Sequence, residues 1–167
     1  MSAVLITGAS GFLGRHLLQQ LVARPNGLKP VALVRSADTF RGYAWVGELG
    51  EISVLEGDLE GLPAAVDHPA LEGVTAIIHA AADVHHSRRD WQPSFAVNVD
   101  GTESVVRAAA ALGARVVFVS SSGTVACSPD PADQPDESAP FCDAVVGDWP
   151  YYASKIAAER QAGALAA

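Results

Sequence analysis

A tyrosine and a lysine four residues apart carry the most direct sign of chemistry in this sequence. Tyr151 and Lys155 begin a predicted helix, where this spacing places both side chains on one face. A phenol is a poor base at neutral pH, but an ammonium about 4 Å away stabilises the phenolate by on the order of 4 kcal/mol. Such a pair can give or take a proton at an oxygen atom during hydride transfer, and Ser122 could hold that oxygen. Ser121 and Thr124 are neighbours that could replace Ser122 in this role.

Three glycines at a spacing of three follow the first predicted strand and open the first predicted helix. In such a turn Gly8 permits the tight bend, Gly11 lets backbone N–H groups approach a phosphate, and Gly14 lets the helix pack closely. The pyrophosphate of a dinucleotide binds at the N-terminus of the helix that follows. The sequence therefore predicts a dinucleotide site with the turn residues Gly8, Ser10, Gly11, Phe12, Leu13 and Gly14.

The end of the second predicted strand indicates which dinucleotide binds. An acidic residue there accepts hydrogen bonds from the ribose 2'-hydroxyl, whereas an arginine accommodates a 2'-phosphate. This chain has Arg35 followed by Ser36, so NADP is the predicted cofactor and NAD the alternative, and Arg15 and Arg41 could assist. Further candidate cofactor contacts follow the third and fourth strands, namely Asp58, Leu59, His79, Ala80 and Ala81.

Strands and helices must position these residues, and the hydrophobic pattern of the sequence alternates between the periods of the two. Short β-branched runs alternate with stretches of 3.6-residue period, which is typical of strands and helices around a parallel sheet. The predicted strands are Ala3–Thr7, Val31–Arg35, Ile52–Glu56, Thr75–Ala80 and Arg115–Ser121. The predicted helices are Phe12–Arg24 (stopped by Pro25, Asn26 and Gly27), a weak one at Thr39–Leu49, a long one from Trp91 or Pro93 to Leu112, and one from Tyr151 to about Ala164. We expect an α/β fold of the Rossmann type, a three-layered, doubly wound parallel sheet of order 3-2-1-4-5 that lacks its last strands.

The stretch Gly123–Trp149 has several prolines and aspartates and follows neither period, so it is predicted to be a long functional loop. It contains both cysteines, Cys127 and Cys142, which we expect to be free thiols in a reducing compartment. The whole chain, 1–167, is interpreted as one dinucleotide-binding domain.

Composition argues against several classes of function. The formal net charge is -8, which disfavours binding to nucleic acid, and no apolar run approaches the roughly 20 residues that span a bilayer. The first residues lack the features of a signal peptide, so a cytoplasmic location is expected. The three histidines His79, His85 and His86 have no Cys or Glu at zinc spacing, so no metal is predicted.

Taken together, the motifs resemble the extended short-chain dehydrogenase/reductase family, in its epimerase/dehydratase and dihydroflavonol-reductase-like branches. The resemblance runs from Val4 to Glu159. It rests on Thr7–Gly14, Asp58-Leu59, His79–Ala82, Asn98–Thr102, Ser120–Ser122 and Tyr151–Lys155.

The resemblance implies a role for each of these groups of residues. Ser122, Tyr151 and Lys155 resemble the catalytic triad, and Asn98 supports the site from the long helix. Tyr151 and Lys155 also contact the cofactor, with Lys155 holding the nicotinamide ribose. Asp58 and Leu59 flank the adenine. The resemblance also allows a homodimer.

The activity that this resemblance implies is NAD(P)-dependent oxidoreduction, with hydride passing between the nicotinamide and a carbonyl or alcohol carbon of a small molecule. One alternative is an NAD-dependent sugar-nucleotide epimerase/dehydratase, but Val125-Ala126-Cys127 stands where those enzymes carry an aromatic residue and a glycine. A second alternative is a non-catalytic NADP-binding module or fragment. Family members continue well beyond this length, so the chain is expected to lack the C-terminal substrate domain.

Overall fold

A computed structural model of the chain describes residues 2–24, 27–84 and 90–166. Pro25 and Asn26, predicted to stop the first helix, and His85 and His86, weighed as metal ligands, lie outside the described residues. The chain divides into two compact units. We call Met1–Ala81 with Ser104–Val119 the sheet unit, and Ala82–Glu103 with Ser120–Ala167 the helical unit.

The five strands found in the described residues belong to the sheet unit and pair in parallel in the order β3-β2-β1-β4-β5. In the central strand, Leu5 lies opposite Val31 on one side and Ile77 on the other. Because the strands are parallel, their carboxyl ends share one edge of the sheet. The predicted α/β fold and strand order are confirmed. The strands are β1 Ala3–Thr7, β2 Lys29–Val34, β3 Ser53–Glu56, β4 Val74–His79 and β5 Arg115–Phe118.

The helices form where the 3.6-residue period predicts them, with differences in detail. The weak helix expected at Thr39–Leu49 is two short helices, α2 and α3. The long helix that ends at Leu112 contains a π-helical segment, Ala96–Asp100, between α4 and α5. The helices are α1 Phe12–Ala23, α2 Ala37–Arg41, α3 Ala44–Gly47, α4 Gln92–Phe95, α5 Gly101–Leu112, α6 Asp143–Val146 and α7 Pro150–Ala166.

Apolar side chains cover both faces of the sheet. Successive strand residues point to opposite faces, so neighbouring residues of β1 enter different clusters. Leu5 packs in one cluster with Ile77 of β4 and Val105 of α5. Ile6 packs in the other with Leu18 of α1. Helices therefore lie on both faces, which is the expected three-layer arrangement.

The serine motif lies beyond the fifth strand and not within it. β5 ends at Phe118, three residues earlier than the predicted end at Ser121, and Ser122–Thr124 forms one 3₁₀ turn. The predicted loop Gly123–Trp149 contains the short helix α6. Over the described ranges, no helix is both long and apolar enough to cross a membrane.

Candidate functional site

The glycine turn of the sheet unit leaves no room for a side chain at two positions. Gly8 has a φ of 68°, and a Cβ there would lie 2.7 Å from the backbone N of Ala81. A Cβ on Gly14 would lie 2.1 Å from Gly8 O and 2.7 Å from the Cα of Ala9. Both distances are far shorter than a carbon atom tolerates. The turn therefore fixes the start of α1 closely against the end of β1 and against the segment that follows β4.

The N-terminus of α1 is open to a ligand. Gly11 is the N-cap residue, and no side chain caps the helix. Ser10, Phe12 and Leu13 are exposed, and Phe12 is 84% exposed. The N–H groups in the first turn of a helix, together with the helix dipole, favour an anion. This donor set fits the pyrophosphate of a dinucleotide. A Cβ on Gly11 would meet only Gly8 O, at 3.2 Å.

A buried histidine braces the same turn. His79 is fully buried at the end of β4, and its Nδ1 lies 2.7 Å from Thr7 Oγ1. The Thr7 hydroxyl also accepts a hydrogen bond from the N–H of Ala81, at 3.2 Å. The His79 ring stacks on Phe118, with ring centroids 5.6 Å apart. The imidazole therefore holds the carboxyl ends of β1, β4 and β5 together and is not presented at the surface, while Ala80 and Ala81 are half-buried.

The residues predicted to hold the adenosine lie at the carboxyl ends of β2 and β3. Arg35 is exposed immediately after β2, and Ser36 caps α2 by accepting a hydrogen bond from Thr39 N at 3.2 Å. Asp58 is exposed and accepts a hydrogen bond from Gly61 N, at 2.8 Å. Leu59, by contrast, packs against the apolar core.

Lys155, in the helical unit, is the most unusual ionisable group of the candidate site. It is 1% exposed on α7. Burial lowers the pKa of Lys155 to about 8, and the negative charge of Glu159 opposes this shift. Tyr151 lies one turn earlier on the same helix and is half-buried. A buried, charged group beside a phenol is an arrangement suited to proton transfer.

Asn98 is a buried brace in the π-helical segment. Its Oδ1 accepts a hydrogen bond from Asp83 N at 2.8 Å, and its Nδ2 donates to Asp83 O at 2.9 Å. Nδ2 also donates to Ser154 Oγ, at 2.9 Å. The Ser154 hydroxyl in turn donates to Tyr151 O, at 2.7 Å. Asn98 therefore connects the segment at Asp83 with the first turn of α7, next to Tyr151 and Lys155.

Of the three consecutive serines, Ser122 is the exposed one. The hydroxyl of Ser121 accepts a hydrogen bond from Gly123 N at 3.2 Å, and that of Ser120 donates to Glu159. Thr124, the other alternative, is 3% exposed and donates to Ser121 O. Ser122 is thus the member of the motif best presented to a ligand.

The turn that carries Ser122 is held by the ring of Tyr152. A Cβ on Gly123 would lie 2.2 Å from Cε1 and 2.5 Å from Cδ1 of Tyr152. The ring of Tyr152 also contacts that of Tyr151, with centroids 5.3 Å apart. Tyr152 therefore positions the Ser122 turn against the start of α7.

The polar network around Asn98 is the main feature that sequence reasoning missed. Ser94, Asn98 and Thr102 are all fully buried or nearly so, and they are spaced by four residues. Ser94 donates to Asp83 Oδ2 at 2.7 Å, and Thr102 donates to Asn98 O at 2.5 Å. Polar residues at this spacing on a helix face were a signal that could have revealed the network.

Comparisons with known proteins indicate the family of the chain. The model of the NAD dependent epimerase/dehydratase family matches residues 4–167. A ceramide reductase of Caulobacter vibrioides is 40% identical over 118 residues, which cover 71% of this chain and 34% of that protein. A dihydroflavonol 4-reductase of Zea mays is 33% identical over an alignment that is 180 residues long with its gaps and covers 98% of this chain and 48% of that protein.

A solved structure gives the same fold. The UDP-glucose 4-epimerase of Thermus thermophilus, in complex with NAD, superposes with a TM-score of 0.74 at 27% identity. The match covers 97% of this chain and 50% of that one. The chain thus spans between a third and a half of the length of these relatives.

Proposed function

The chain belongs to the NAD dependent epimerase/dehydratase family, and we propose that it carries the dinucleotide site and the proton-transfer residues of an NAD(P)-dependent oxidoreductase of the extended short-chain dehydrogenase/reductase type. The reaction moves a hydride between the nicotinamide and a carbonyl or alcohol carbon. The observation that carries this proposal is the buried Lys155 one turn after Tyr151 on α7.

The glycine turn would hold the dinucleotide. The open N-terminus of α1 offers backbone N–H donors to the pyrophosphate, and Gly11 leaves that approach clear. Arg35 and Ser36 would contact the adenosine ribose, and the exposed guanidinium of Arg35 supports NADP over NAD. Asp58 and Leu59 would flank the adenine. The remaining turn residues and the backbone of Ala80 and Ala81 would complete the site.

The chemistry divides between three side chains of the helical unit. When bound, the nicotinamide supplies or accepts the hydride. Tyr151 would move the proton at the substrate oxygen, giving it during reduction and taking it during oxidation. The charge of Lys155 would stabilise the phenolate of Tyr151. The hydroxyl of Ser122 would donate a hydrogen bond to the same oxygen and stabilise its developing charge.

Asn98 is a positioning residue in this proposal and does not itself touch the substrate. It would position Tyr151 and Lys155 by fixing the first turn of α7 through Ser154.

The relatives suggest the substrate class. The ceramide reductase is named for a lipid, and the dihydroflavonol 4-reductase is named for an aromatic compound. The sequence Val125-Ala126-Cys127 after the serines also departs from the pattern of sugar-nucleotide enzymes. We therefore propose an apolar ketone or secondary alcohol as substrate.

Epimerisation of a sugar nucleotide is the second candidate, because the solved epimerase complex with NAD covers 97% of this chain. A cofactor that stays bound through purification and does not exchange would favour this candidate.

The proposal includes a cytoplasmic location and leaves open a homodimer. Sedimentation of the purified chain would give the oligomeric state.

Exchange of Tyr151 to Phe tests the catalytic assignment. We expect turnover of a panel of apolar ketones to fall by about two to four orders of magnitude, because the proton donor is lost, while cofactor affinity stays within a factor of about three. Tyr152→Phe is the matched control, since it keeps the ring that packs on Gly123 and loses only a hydroxyl. Equal activity of the Tyr151→Phe variant and the control would refute the role of Tyr151. No activity in any form of the chain would favour a non-catalytic binding module.

A further inference from the structure

Both cysteines of the chain lie against one backbone carbonyl. The Sγ of Cys142 lies 3.2 Å from Gly123 O, and the Sγ of Cys127 lies 3.7 Å from the same oxygen. The two sulfur atoms are therefore no more than about 7 Å apart. The two thiols are also close enough to interact, because, besides burial, the charge of Cys142 and a side-chain hydrogen bond with Cys142 both raise the pKa of Cys127.

The chain holds Cys142 in this place through its neighbours. The backbone N–H of Cys142 donates to Thr124 O, at 2.9 Å. On its two sides, Asp143 binds both terminal nitrogens of Arg160 at 2.8 Å, and Phe141 lies under the same guanidinium at 4.9 Å. These contacts within the helical unit hold Cys142 near Cys127, which lies fifteen residues earlier in the sequence.

We propose that Cys127 and Cys142 form a redox-active dithiol, which a small disulfide such as glutathione disulfide oxidises to an intramolecular disulfide. Both thiols are free and partly exposed, so a small oxidant can reach them. Formation of the disulfide does not depend on the proposed function, because only the two thiols react with the oxidant.

The two thiols have different parts in this reaction. Burial raises the pKa of Cys127, and the nearby Cys142 raises it further. Cys127 is therefore the slower of the pair to form a thiolate, and we assign the first attack to Cys142. Cys142 attacks one sulfur of glutathione disulfide and releases one glutathione. Cys127 then attacks Sγ of Cys142 in the mixed disulfide and releases the second glutathione. The dithiol loses two electrons and two protons, and one glutathione disulfide becomes two thiols.

The position of the dithiol links its redox state to the Ser122 turn. In the reduced chain the Cys127 thiol lies as a donor at Gly123 O. The Cys142 thiol lies between Gly123 O and Thr124 O, at 3.2 and 3.1 Å, and a disulfide has no hydrogen to donate to either carbonyl. Gly123 follows Ser122 directly and packs under the ring of Tyr152. Oxidation should therefore loosen the backbone hydrogen bonds that Ser122 O accepts from Val125 N and Ala126 N.

The test is oxidation of the full chain with glutathione disulfide, followed by thiol counting and mass spectrometry of non-reduced peptides. We expect the thiols to fall from two per chain to none, with a mass loss of about 2 Da and one peptide pair joined through Cys127 and Cys142. A chain that keeps both thiols, or that carries glutathione on each cysteine with no internal bond, would overturn the proposal.

Single variants provide matched controls, each with a readout in mass or rate. Cys127→Ser should trap the mixed disulfide on Cys142, with a mass gain of about 305 Da. Cys142→Ser should react more slowly than Cys127→Ser, because burial still raises the pKa of the thiol that remains. Equal rates in the two variants would contradict the assigned order of attack. Hydrogen exchange at the amides of Val125 and Ala126 should speed up on oxidation, and an unchanged rate would contradict the link to the Ser122 turn.

Discussion

Lys155 is a buried lysine one helical turn after Tyr151, and its burial makes the charged form costly. Its pKa falls from 10.5 to about 8. Between these two pH values the unfolded chain holds a proton that the folded chain has released, so stability rises with pH across this window. Below about pH 8 the full cost is present, at most about 3 kcal/mol. A fold keeps such a costly group where the charge itself has a use, as in the proton transfer proposed for Tyr151.

Lys155→Met should therefore stabilise the fold while it abolishes turnover. We expect the free energy of unfolding in urea to rise by about 1–3 kcal/mol at about pH 7, and this gain over the unchanged chain to shrink towards pH 10.5. Lys29→Met is the control, because Lys29 is exposed and should give no gain that depends on pH in this way. A gain that is the same at both ends of the window would contradict the buried charge.

The contact between Gly123 and Tyr152 gives a second prediction for single residues. Gly123→Ala should lower the free energy of unfolding by about 1–3 kcal/mol, because its Cβ would overlap the Tyr152 ring. Gly163→Ala, on α7, has open space around it and should instead raise stability by up to about 1 kcal/mol. Urea unfolding of both variants measures the difference. Two variants of equal stability would show that the ring does not restrain the Ser122 turn.

The π-helical segment Ala96–Asp100 is the element that brings Asn98 into the network. One extra residue per turn interrupts the 3.6-residue period, and such interruptions are frequent at functional sites. Asn98 is buried there with three side-chain hydrogen bonds, to the backbone N and O of Asp83 and to Ser154. The segment therefore departs from regular helix geometry, and its Asn98 side chain makes a hydrogen bond to Ser154 of α7.

Asn98→Ala should cost about 2–4 kcal/mol of stability, because it leaves buried donors and acceptors without partners. We also expect the amide of Asp83 to exchange with solvent at least about tenfold faster, since its hydrogen bond to Asn98 is lost. Val97→Ala is the control, because Val97 is in the same segment and 36% exposed. Similar effects of both variants would mean that Asn98 has no special role in the segment.

A comparison of the elements shows which parts of the fold could be predicted from the sequence. The alternation of periods predicted the five strands of the described residues and the long helix, because burial on both faces of a parallel sheet leaves a strong apolar pattern. The strand order was predicted from the doubly wound fold type. The hydrophobic pattern did not predict the π-helical segment. Asn98 and Thr102 are polar, so the pattern gives no sign that they are buried. The motif spacing also identified Ser122, Tyr151 and Lys155 as candidates, but not Tyr152, whose contact with Gly123 joins residues far apart in the chain. Strand ends differed by up to three residues at β5.

For the whole molecule, we propose that one exposed arginine immediately after β2, Arg35, determines the choice of cofactor. Arg35→Ala should weaken NADPH binding by about tenfold or more and change NADH binding by less than about twofold, because only NADPH has the 2'-phosphate. Arg115→Ala is the control, since Arg115 is exposed at the amino end of β5. Calorimetric titration gives both affinities. An equal loss for the two nucleotides would remove the case for NADP.

The most direct test of the account is thermal unfolding of the chain with NADPH, with NADH and without nucleotide. A ligand that binds only the folded state stabilises it by about 2.7 kcal/mol at one hundred times its dissociation constant, which raises the midpoint by about 5 °C or more in a chain of this size. We predict such a rise with NADPH and a smaller one with NADH. An unchanged midpoint with both nucleotides would contradict the dinucleotide site, and with it the assignment of Tyr151 and Lys155 to hydride chemistry.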